Sequence, residues 1–393
     1  MGTVSVHDYF SGTLAAAHGG VTTVLDFSNQ EGGEPLSETI LRKKEEAAGR
    51  ALVDWGVHPV ITRPTAGTLK SIVKAVELGA PTIKCYTTYR SEGLMVGFRD
   101  LKRILLALGR AGGMLMLHAE DNAMIEKNVP ALIKAGKTGP IYHARSRPPE
   151  AENRAVRRAV RAARETGGRL FIVHLASADA LELVAGAQAR GLRVFAETCT
   201  HYLAFTDAML KREDGIKWIC SPPLRSRAVR ERLWAALPYG PIAQVSSDDA
   251  AYSWEAKLMG RDRFDRCPNG IPGVEVRVPL LFSEGVSKGR ISLGRFVDLI
   301  AGAPSRLFGL APRKGSLTPG ADADIVLFDP QEEWTMGRRT LHMAADWSAY
   351  EGIRVTGRVK TVFSRGEMII NNGLCLAEKG RGRFVFRRLS PLE

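Results

Sequence analysis

The decapeptide Pro81-Thr-Ile-Lys-Cys-Tyr-Thr-Thr-Tyr-Arg90 joins a short strand pattern to two side chains capable of chemistry. Residues 81–85 predict a buried strand, because apolar side chains would occupy both of its faces. Lys84 stands at the C-terminal end of this strand, and Tyr89 follows on the next loop. A charged lysine in a dry strand costs free energy unless it is paired or chemically changed. The decapeptide therefore singles out Lys84 as the residue to explain.

Two interpretations of Lys84 are open. Burial lowers the pKa of an ammonium, and the neutral amine is a nucleophile that can capture carbon dioxide. The resulting carbamate is an anion whose two oxygens can bridge two metal ions. In the structural interpretation, the aliphatic stem packs in the core while the ammonium reaches solvent. The decapeptide alone favours the structural interpretation.

Outward from this segment, strand and helix patterns alternate along the chain. The predicted helices between the strands cover residues 38–50, 68–78, 98–109, 150–166, 177–190 and 228–236. The predicted strands cover residues 21–27, 51–57, 81–85, 113–118, 169–174, 192–197 and 242–247. This alternation is typical of βαβ units and predicts an α/β fold with a parallel sheet.

Polar residues mark the C-terminal ends of several predicted strands. Lys84, His118, His174 and Asp248 each stand at such an end or one residue beyond it, and Glu197 marks the same place on another strand. In a TIM barrel these ends surround one mouth, where the active site is built. A single histidine ending an apolar strand is more often a core residue, but this combination favours a metal site. Imidazole and carboxylate groups suit zinc or a similar divalent ion.

The texture of the chain changes near residue 310. Residues 276–300 predict two helices, and short strand patterns follow at 320–329, 358–363 and 367–371. Asn372-Gly373 is a tight-turn signal. We therefore expect a barrel domain over residues 1–310 and a small β-sheet module with a tail over residues 311–393. The tail is basic from Arg381 to Arg388, and we expect it to be loose.

Composition narrows the functional classes. The 393 residues are 45% hydrophobic and 25% charged, with no apolar run long enough to span a membrane and no visible signal peptide. The cysteines are odd in number and scattered without CxxC spacing, which argues against a disulfide framework and favours a reducing cytoplasm. They are Cys85, Cys199, Cys220, Cys267 and Cys375.

The formal net charge of +13 raises the question of nucleic-acid binding. The arginines of the 150–166 helix alternate with glutamates and with alanine and valine residues. That pattern is typical of an amphipathic helix with a solvated basic face. We therefore expect neither nucleic-acid nor membrane partners.

Several motifs, in order along the chain, resemble the cyclic amidohydrolases and most closely the dihydropyrimidinase/hydantoinase group. The resemblance implies a TIM-type (β/α)8 barrel with a partial β-sandwich, and it covers the whole chain. The matching segments are residues 12–27, the Lys84 decapeptide, Leu117-His-Ala-Glu120, Ile172-Val-His174, Glu197-Thr-Cys-Thr-His-Tyr-Leu203, Cys220-Ser-Pro-Pro-Leu-Arg225, Ser246-Ser-Asp248, Pro268-Asn-Gly-Ile-Pro-Gly-Val-Glu275 and residues 308–329.

The resemblance also implies a metal centre with two divalent ions, most often zinc. Lys84 would be the carboxylated lysine that bridges the two ions. His118 and His174 would hold the more exposed ion, and Asp248 the buried one. Asp248 would also take the proton of the attacking water and pass it to the leaving nitrogen.

For the substrate, the resemblance implies a small cyclic ureide or imide, such as a dihydropyrimidine or a 5-substituted hydantoin. Tyr89 would donate a hydrogen bond to the developing oxyanion. Ser221 and the backbone at Asn269 would hold the amide edge, and His201 would orient a neighbouring side chain. A homotetramer is implied as well.

The chain departs from the family pattern at two places. The family's first barrel strand ends in a His-x-His pair that binds the buried ion, followed by residues that resemble Met1-Gly-Thr-Val4. We therefore expect this sequence to begin just downstream of the pair, without the first strand and the N-terminal half of the sandwich. Neither His7 nor His18 is expected to replace the pair. The second departure is Asp249-Ala250, where histidine and cysteine are usual.

These departures predict impaired function. A barrel without one strand exposes two edges, and we expect only the more exposed ion to bind well. The alternatives to a hydantoinase-like enzyme are a non-catalytic scaffold and an allantoinase or dihydroorotase. The four ligand residues argue against a scaffold. Tyr89, Ser221 and Asn269 favour the dihydropyrimidinase-like side.

Overall fold

Seven parallel strands form the larger of two sheets in the computed structural model, which describes residues 3–390. Met1 and Gly2, part of the opening segment discussed above, and residues 391–393 of the tail lie outside the described residues. The strands are hydrogen-bonded in chain order, so the predicted parallel α/β sheet is confirmed. They are β1 (Thr23–Asn29), β2 (Asp54–Val60), β3 (Thr82–Tyr86), β4 (Met114–His118), β5 (Leu170–Ile172), β6 (Val194–Cys199) and β7 (Ile242–Ser246).

Helices alternate with these strands and cover the outer face of the sheet. The predicted helices are all present, but the helix at residues 122–134 was missed, because Pro130 interrupts its pattern. The helices are α1 (Tyr9–His18), α2 (Leu36–Ala47), α3 (Ala66–Glu77), α4 (Phe98–Ala111), α5 (Asn122–Lys134), α6 (Ile141–Ser146), α7 (Pro149–Thr166), α8 (Ala178–Gln188), α9 (Thr200–Ala204), α10 (Arg227–Ala236), α11 (Trp254–Leu258), α12 (Arg277–Leu281), α13 (Leu293–Val297) and α14 (Ala303–Leu307). In the described residues, no helix is long and apolar enough to cross a membrane.

The 276–300 region forms its two predicted helices with wider turns inside them. A π-helical turn at Phe282–Val286 continues α12, and another at Asp298–Gly302 joins α13 to α14. Helix α4 shows how the outer layer is built. Its apolar residues recur at helical spacing and are buried: Leu101, Ile104, Leu105 and Leu108. The helix ends at Gly112, whose φ of 74° suits a residue without a β-carbon.

The two-residue period of the strands separates two cores. Leu115 and Leu117 of β4 pack in the large core between sheet and helices, whereas Met114 and Met116 belong to a smaller inner cluster with Phe171. Parallel pairing of β3 with β4 places Lys84 beside Met116 and Tyr86 beside His118. The register therefore puts Lys84 on the inner face of the sheet, and His118 at its C-terminal edge.

The second sheet is antiparallel and has the order β11-β10-β9-β8. Its strands are β8 (Ile325–Thr335), β9 (Arg354–Ser364), β10 (Glu367–Asn371) and β11 (Leu374–Cys375). Asn372 and Gly373 turn between β10 and β11 with φ values of 46° and 79°, as their sequence predicted. The domain boundary at residue 310 stays a prediction.

A network of buried charges joins the two sheets. Asp54, the first residue of β2, accepts a hydrogen bond from Lys314 at 2.7 Å and another from Arg365. Lys314 also donates to Asp324 at 2.7 Å and lies 3.0 Å from Asp322. Each buried charge in the network has an oppositely charged neighbour, the arrangement that makes burial tolerable.

The expectation of a loose basic tail was wrong. The amide of Trp55 in β2 donates to Arg383 at 2.9 Å, and the amide of Val385 donates back to Trp55 at 2.7 Å. Arg387 is fully buried, and its guanidinium donates to Thr82 at 2.9 Å and to the Val57 carbonyl. The basic composition of this segment gave no sign of its strand-like contact with β2. An arginine can be buried when backbone oxygens accept its hydrogen bonds.

Candidate active site

The predicted ligands His118 and His174 face each other. His118 ends β4, and His174 lies two residues beyond the end of β5. Nδ1 of His118 is 3.0 Å from Nε2 of His174, and both rings are buried. Burial lowers the pKa of both imidazoles, which keeps them neutral, the form that binds metal ions.

A buried acid–base pair holds the other side of His118. Nε2 of His118 lies 2.7 Å from Glu120 Oε2, and Arg147 donates to the same oxygen at 2.6 Å. Burial opposes ionisation of Glu120, but the Arg147 charge and the His118 hydrogen bond lower its pKa to about 2. A carboxylate on one nitrogen of a histidine fixes the ring and leaves the other nitrogen free for a metal. That other nitrogen is Nδ1 of His118, which faces His174.

Lys84 is almost fully enclosed. Its Nζ lies 4.9 Å from the centre of the Phe27 ring and 5.0 Å from that of Tyr86. Burial lowers its pKa to about 8, against the opposing charges of Asp248 and Glu197. The interpretation in which the ammonium reaches solvent is wrong, because only 2% of the residue is exposed.

Asp248 lies two residues beyond β7, and Lys84 is close enough to influence its charge. Burial raises the pKa of Asp248 to about 6, and the Lys84 charge opposes this. Glu197 of β6 accepts a hydrogen bond from Gln244, yet burial raises its pKa to about 7. The Lys84 charge also lowers the pKa of both His118 and His174. Lys84 therefore lies within electrostatic reach of the other three predicted ligands, His118, His174 and Asp248.

Three of the predicted site residues have backbone angles that side-chain-bearing residues rarely adopt. The φ angles are 66° at Tyr89, 38° at His174 and 44° at Asp248. Such conformations cost of order 1–3 kcal/mol each and cluster at functional sites. All three strained residues follow the C-terminal ends of strands, namely β3, β5 and β7. Backbone strain is therefore concentrated at the mouth.

Tyr89, Ser221 and Asn269 also converge. Burial raises the pKa of Tyr89 to about 12, although the Arg147 charge and hydrogen bonds with the side chains of Ser221 and Asn269 oppose the shift. The Arg147 guanidinium lies 5.1 Å from the centre of the Tyr89 ring. The phenol is therefore protonated at neutral pH and able to donate a hydrogen bond.

Lys257 ties the two loops of this group to each other, a role that the sequence analysis missed. Its fully buried ammonium donates to the carbonyls of Ile219 at 3.1 Å, Pro268 at 2.9 Å and Gly270 at 3.1 Å. These carbonyls flank Ser221 on one loop and Asn269 on the other. Nothing in the local pattern around Lys257 indicates three acceptors that come from distant turns.

Comparison with known proteins agrees with this geometry. The model of the amidohydrolase family matches residues 2–369. The chain belongs to the amidohydrolase family. It is 39% identical to the D-hydantoinase of Geobacillus stearothermophilus over 98% of this chain and 83% of that protein. It is also 39% identical to a D-phenylhydantoinase of Escherichia coli O1:K1 / APEC, over 98% of this chain and 83% of that protein.

Solved structures confirm the predicted fold of this amidohydrolase. The crystal structure of dihydropyrimidinase from Brevibacillus agri NCHU1002 superposes with a TM-score of 0.97 at 37% identity, over 100% of this chain and 86% of that one. A crystal structure of D-hydantoinase gives 0.96 at 39% identity, over 98% and 85%. The predicted resemblance is confirmed.

The donors of this amidohydrolase fit a divalent metal ion. The facing nitrogens of His118 and His174 are 3.0 Å apart, close enough to bind one ion together. Nδ1 of His174 is buried without a hydrogen-bond partner among the described residues. Lys84 comes from β3, the neighbour of the His118 strand, and Asp248 follows β7.

The remaining histidines have other neighbours. Nδ1 of His7 lies 2.8 Å from Asp249, whose other oxygen accepts from the amides of Gly273 and Val274. His18 ends α1 and stacks on His342 with ring centres 3.4 Å apart. The departure at Asp249 therefore serves to anchor the loop after Asn269.

Proposed function

We propose that this amidohydrolase hydrolyses the cyclic amide bond of 5-substituted hydantoins or dihydropyrimidines. Relatives named D-hydantoinase, D-phenylhydantoinase and dihydropyrimidinase support this substrate class. The proposal is supported most by the facing imidazoles of His118 and His174, with Lys84 within electrostatic reach of both and of Asp248, and with the centre of the Tyr89 ring 5.2 Å from that of His118.

The metal is proposed to be zinc, held by His118, His174, Asp248 and a carboxylated Lys84. The family binds two ions per chain, and in this chain we expect the more exposed ion to bind well. Support for carboxylation comes from burial, since a pKa of about 8 leaves a fraction of the Lys84 amine neutral and nucleophilic near pH 7. Bound zinc lowers the pKa of water toward neutrality and so supplies hydroxide at physiological pH.

Asp248 is the proposed base. It accepts the proton released when water adds to the ring carbonyl, and it returns a proton to the ring nitrogen as the C–N bond breaks. The product is an open-chain carboxylate with a terminal carbamoyl group. In the metal-free protein burial raises the pKa of Asp248 to about 6, in the direction that suits a group that must both take and give a proton near neutrality.

Tyr89 is proposed to donate its phenol hydrogen to the carbonyl oxygen as negative charge develops there. Ser221 and the backbone at Asn269 would hold the amide edge of the ring. Lys257 holds the loops of both residues through their neighbouring carbonyls. Positioning of this kind lowers the entropic part of the barrier.

Ring opening of 5-phenylhydantoin and dihydrouracil, followed by mass spectrometry of the carbamoyl product, tests the proposal. We expect turnover that stops on chelation and returns when zinc is added. Allantoin and dihydroorotate serve as competing substrates, and faster turnover of either would reassign the substrate. A zinc-loaded protein that opens none of the four rings would be a scaffold.

The impaired activity expected from the sequence stays a prediction, as do the homotetramer and the cytoplasmic location. Zinc content measured beside the rate addresses the first. Two zinc ions per chain together with fast dihydrouracil hydrolysis would contradict the predicted impairment.

A further inference from the structure

One buried histidine near the mouth has no function in the scheme above. His201 is the second residue of α9, and both of its ring nitrogens are buried without a hydrogen-bond partner in the described part of the chain. Leaving a buried polar group unpaired costs free energy, since the group has given up its hydrogen bonds to water. The orienting role expected for His201 therefore lacks the hydrogen bond it would need.

Two potential metal ligands lie next to His201. Cys199 ends β6, and pairing of β6 with β7 sets it opposite Ser246, two residues before Asp248. One donor atom each from Cys199, His201 and Asp248 lie within 4.8 Å of one another. The chain thus brings a sulfur, a nitrogen and an oxygen donor together from two adjacent strand ends.

We propose that Cys199, His201 and Asp248 form a divalent-metal site that shares Asp248 with the proposed catalytic centre and uses neither His118 nor His174. Thiolate, imidazole and carboxylate are all zinc donors, and a thiolate disfavours magnesium and calcium. Three protein ligands leave a position open on a four-coordinate ion. The inference rests on the proposed function only for the role of Asp248.

The charges of such a site balance. Metal binding displaces the Cys199 proton to solvent, and the thiolate with the Asp248 carboxylate neutralises a divalent ion. The thiol's hydrogen-bond contact in the structure is weak, at 3.3 Å from the Ser246 hydroxyl. His201 is neutral because burial lowers its pKa to about 3. Lys84 is near enough to interact with both Asp248 and Cys199, so its ammonium would oppose the ion and its neutral or carboxylated form would not.

Cobalt(II) substitution of the full-length protein tests the site without reference to turnover. A cobalt–thiolate bond gives a near-ultraviolet charge-transfer band, which imidazole and carboxylate ligands do not. We expect this band in the wild-type protein and its loss in Cys199→Ala, with one fewer cobalt bound per chain. In Cys85→Ala, the matched control, an equally buried thiol of the outer core is removed, and the band should persist.

A second variant separates metal binding from folding. His201→Phe keeps a buried aromatic ring and removes both unpaired nitrogens, so we expect normal folding and at least tenfold weaker binding of one cobalt ion. A wild-type protein that shows no thiolate band at saturating cobalt would overturn the site, as would a band that survives in Cys199→Ala. Turnover without the band would refute this site alone, whereas the band without turnover would refute only the proposed function.

Discussion

Two groups of buried charged side chains lie at opposite ends of the parallel strands. At the junction with the second sheet, Asp54 begins β2 and contacts Lys314, Arg365 and the amide of Arg383. Burial opposes its ionisation, but the Lys314 hydrogen bond and charge lower its pKa. At the mouth, burial raises the pKa of Asp248 to about 6.

The opposite pKa shifts of Asp54 and Asp248 indicate that the junction contributes to stability and the mouth to chemistry. The junction pairs its charges and gains a firm attachment between the sheets. At the mouth of the metal-free protein, burial raises the pKa of Asp248 and of Glu197 and lowers that of Lys84, so all three shift toward neutrality. Perturbed groups of this kind mark functional sites, and strand C-terminal ends are where barrels place them.

Replacing Asp248 should produce the largest effect. Asp248→Asn removes the proposed base and a metal ligand, so we expect kcat to fall by at least about 10³-fold. Because burial disfavours the charged form of Asp248 more than Lys84 stabilises it, the free energy of unfolding of the metal-free protein should stay the same or rise. Steady-state kinetics and urea unfolding measure the two. A strongly destabilised variant would erase the contrast between mouth and junction.

The same substitution at the junction should do the reverse. Asp54→Asn removes the carboxylate partner of Arg365 and leaves Lys314 with only Asp324 and Asp322, and we expect a loss of about 1–3 kcal/mol in the free energy of unfolding. The activity of the folded fraction should be unchanged, since Asp54 lies at the far end of β2. If Asp54→Asn lost activity but unfolded in urea like the wild type, the junction would have to influence the catalytic step.

Tyr89→Phe tests whether the phenol acts on the transition state. We expect kcat to fall about 10²–10³-fold with little change in KM, because the hydrogen bond strengthens only as charge develops. Tyr86→Phe is the matched control, since it removes a phenol hydroxyl three residues earlier. Equal losses in both variants would assign the effect to packing.

Lys257→Met should affect substrate binding more than the chemical step. The substitution frees the three carbonyls that Lys257 holds, so the Ser221 and Asn269 loops should lose their alignment. We expect KM to rise about tenfold, or about 1.4 kcal/mol, with a smaller change in kcat. Lys217→Met, at a partly exposed lysine on a neighbouring turn, is the control. An unchanged KM would rule out a positioning role.

Acid should weaken the two regions in different pH windows. Burial lowers the pKa of His143 to about 3, and its Nε2 lies 2.9 Å from the Cys220 carbonyl. Between pH 3 and 6.5 the unfolded chain binds more protons at this site, so stability falls as pH falls through that range. His143→Gln should reduce the slope by up to about 1.4 kcal/mol per pH unit in urea titrations of the metal-free protein.

The stability contributed by Asp54 should be lost at lower pH than that contributed by His143. Because its folded-state pKa is lowered, its contribution is present above its ordinary pKa near 3.8 and disappears as pH falls below it. Asp54→Asn should therefore leave the slope above pH 5 unchanged. A slope that changes there would mean that the junction titrates with the histidines.

Local patterns were sufficient to predict the parallel sheet and the position of the mouth. Lys84, His118 and Asp248 could be found because a strand's period and its end are properties of a few neighbouring residues. The strand ending at His174 was predicted two residues too long, since its last residues already turn toward the mouth.

Contacts between distant segments were beyond those patterns. Glu120 lay inside a quoted motif, but its partner Arg147 follows a short helix that carries no signal for the site. Lys257 resembled any helical lysine until the carbonyls of two other loops surrounded it. The basic residues near Arg387 suggested a loose tail. The sequence shows their charge, but it does not show the distant oxygens that accept the hydrogen bonds of Arg387.

The buried position of Arg387 has a consequence for biosynthesis. Its hydrogen bond to Thr82 joins residues 305 positions apart, so β2 and β3 leave the ribosome long before this contact can form. Until then, the floor of the parallel sheet lacks the side chain that fills it, and a nascent chain is open there to chaperones and proteases. Closing the floor of the parallel sheet is thus a late event, because it must wait until Arg387 has been synthesised.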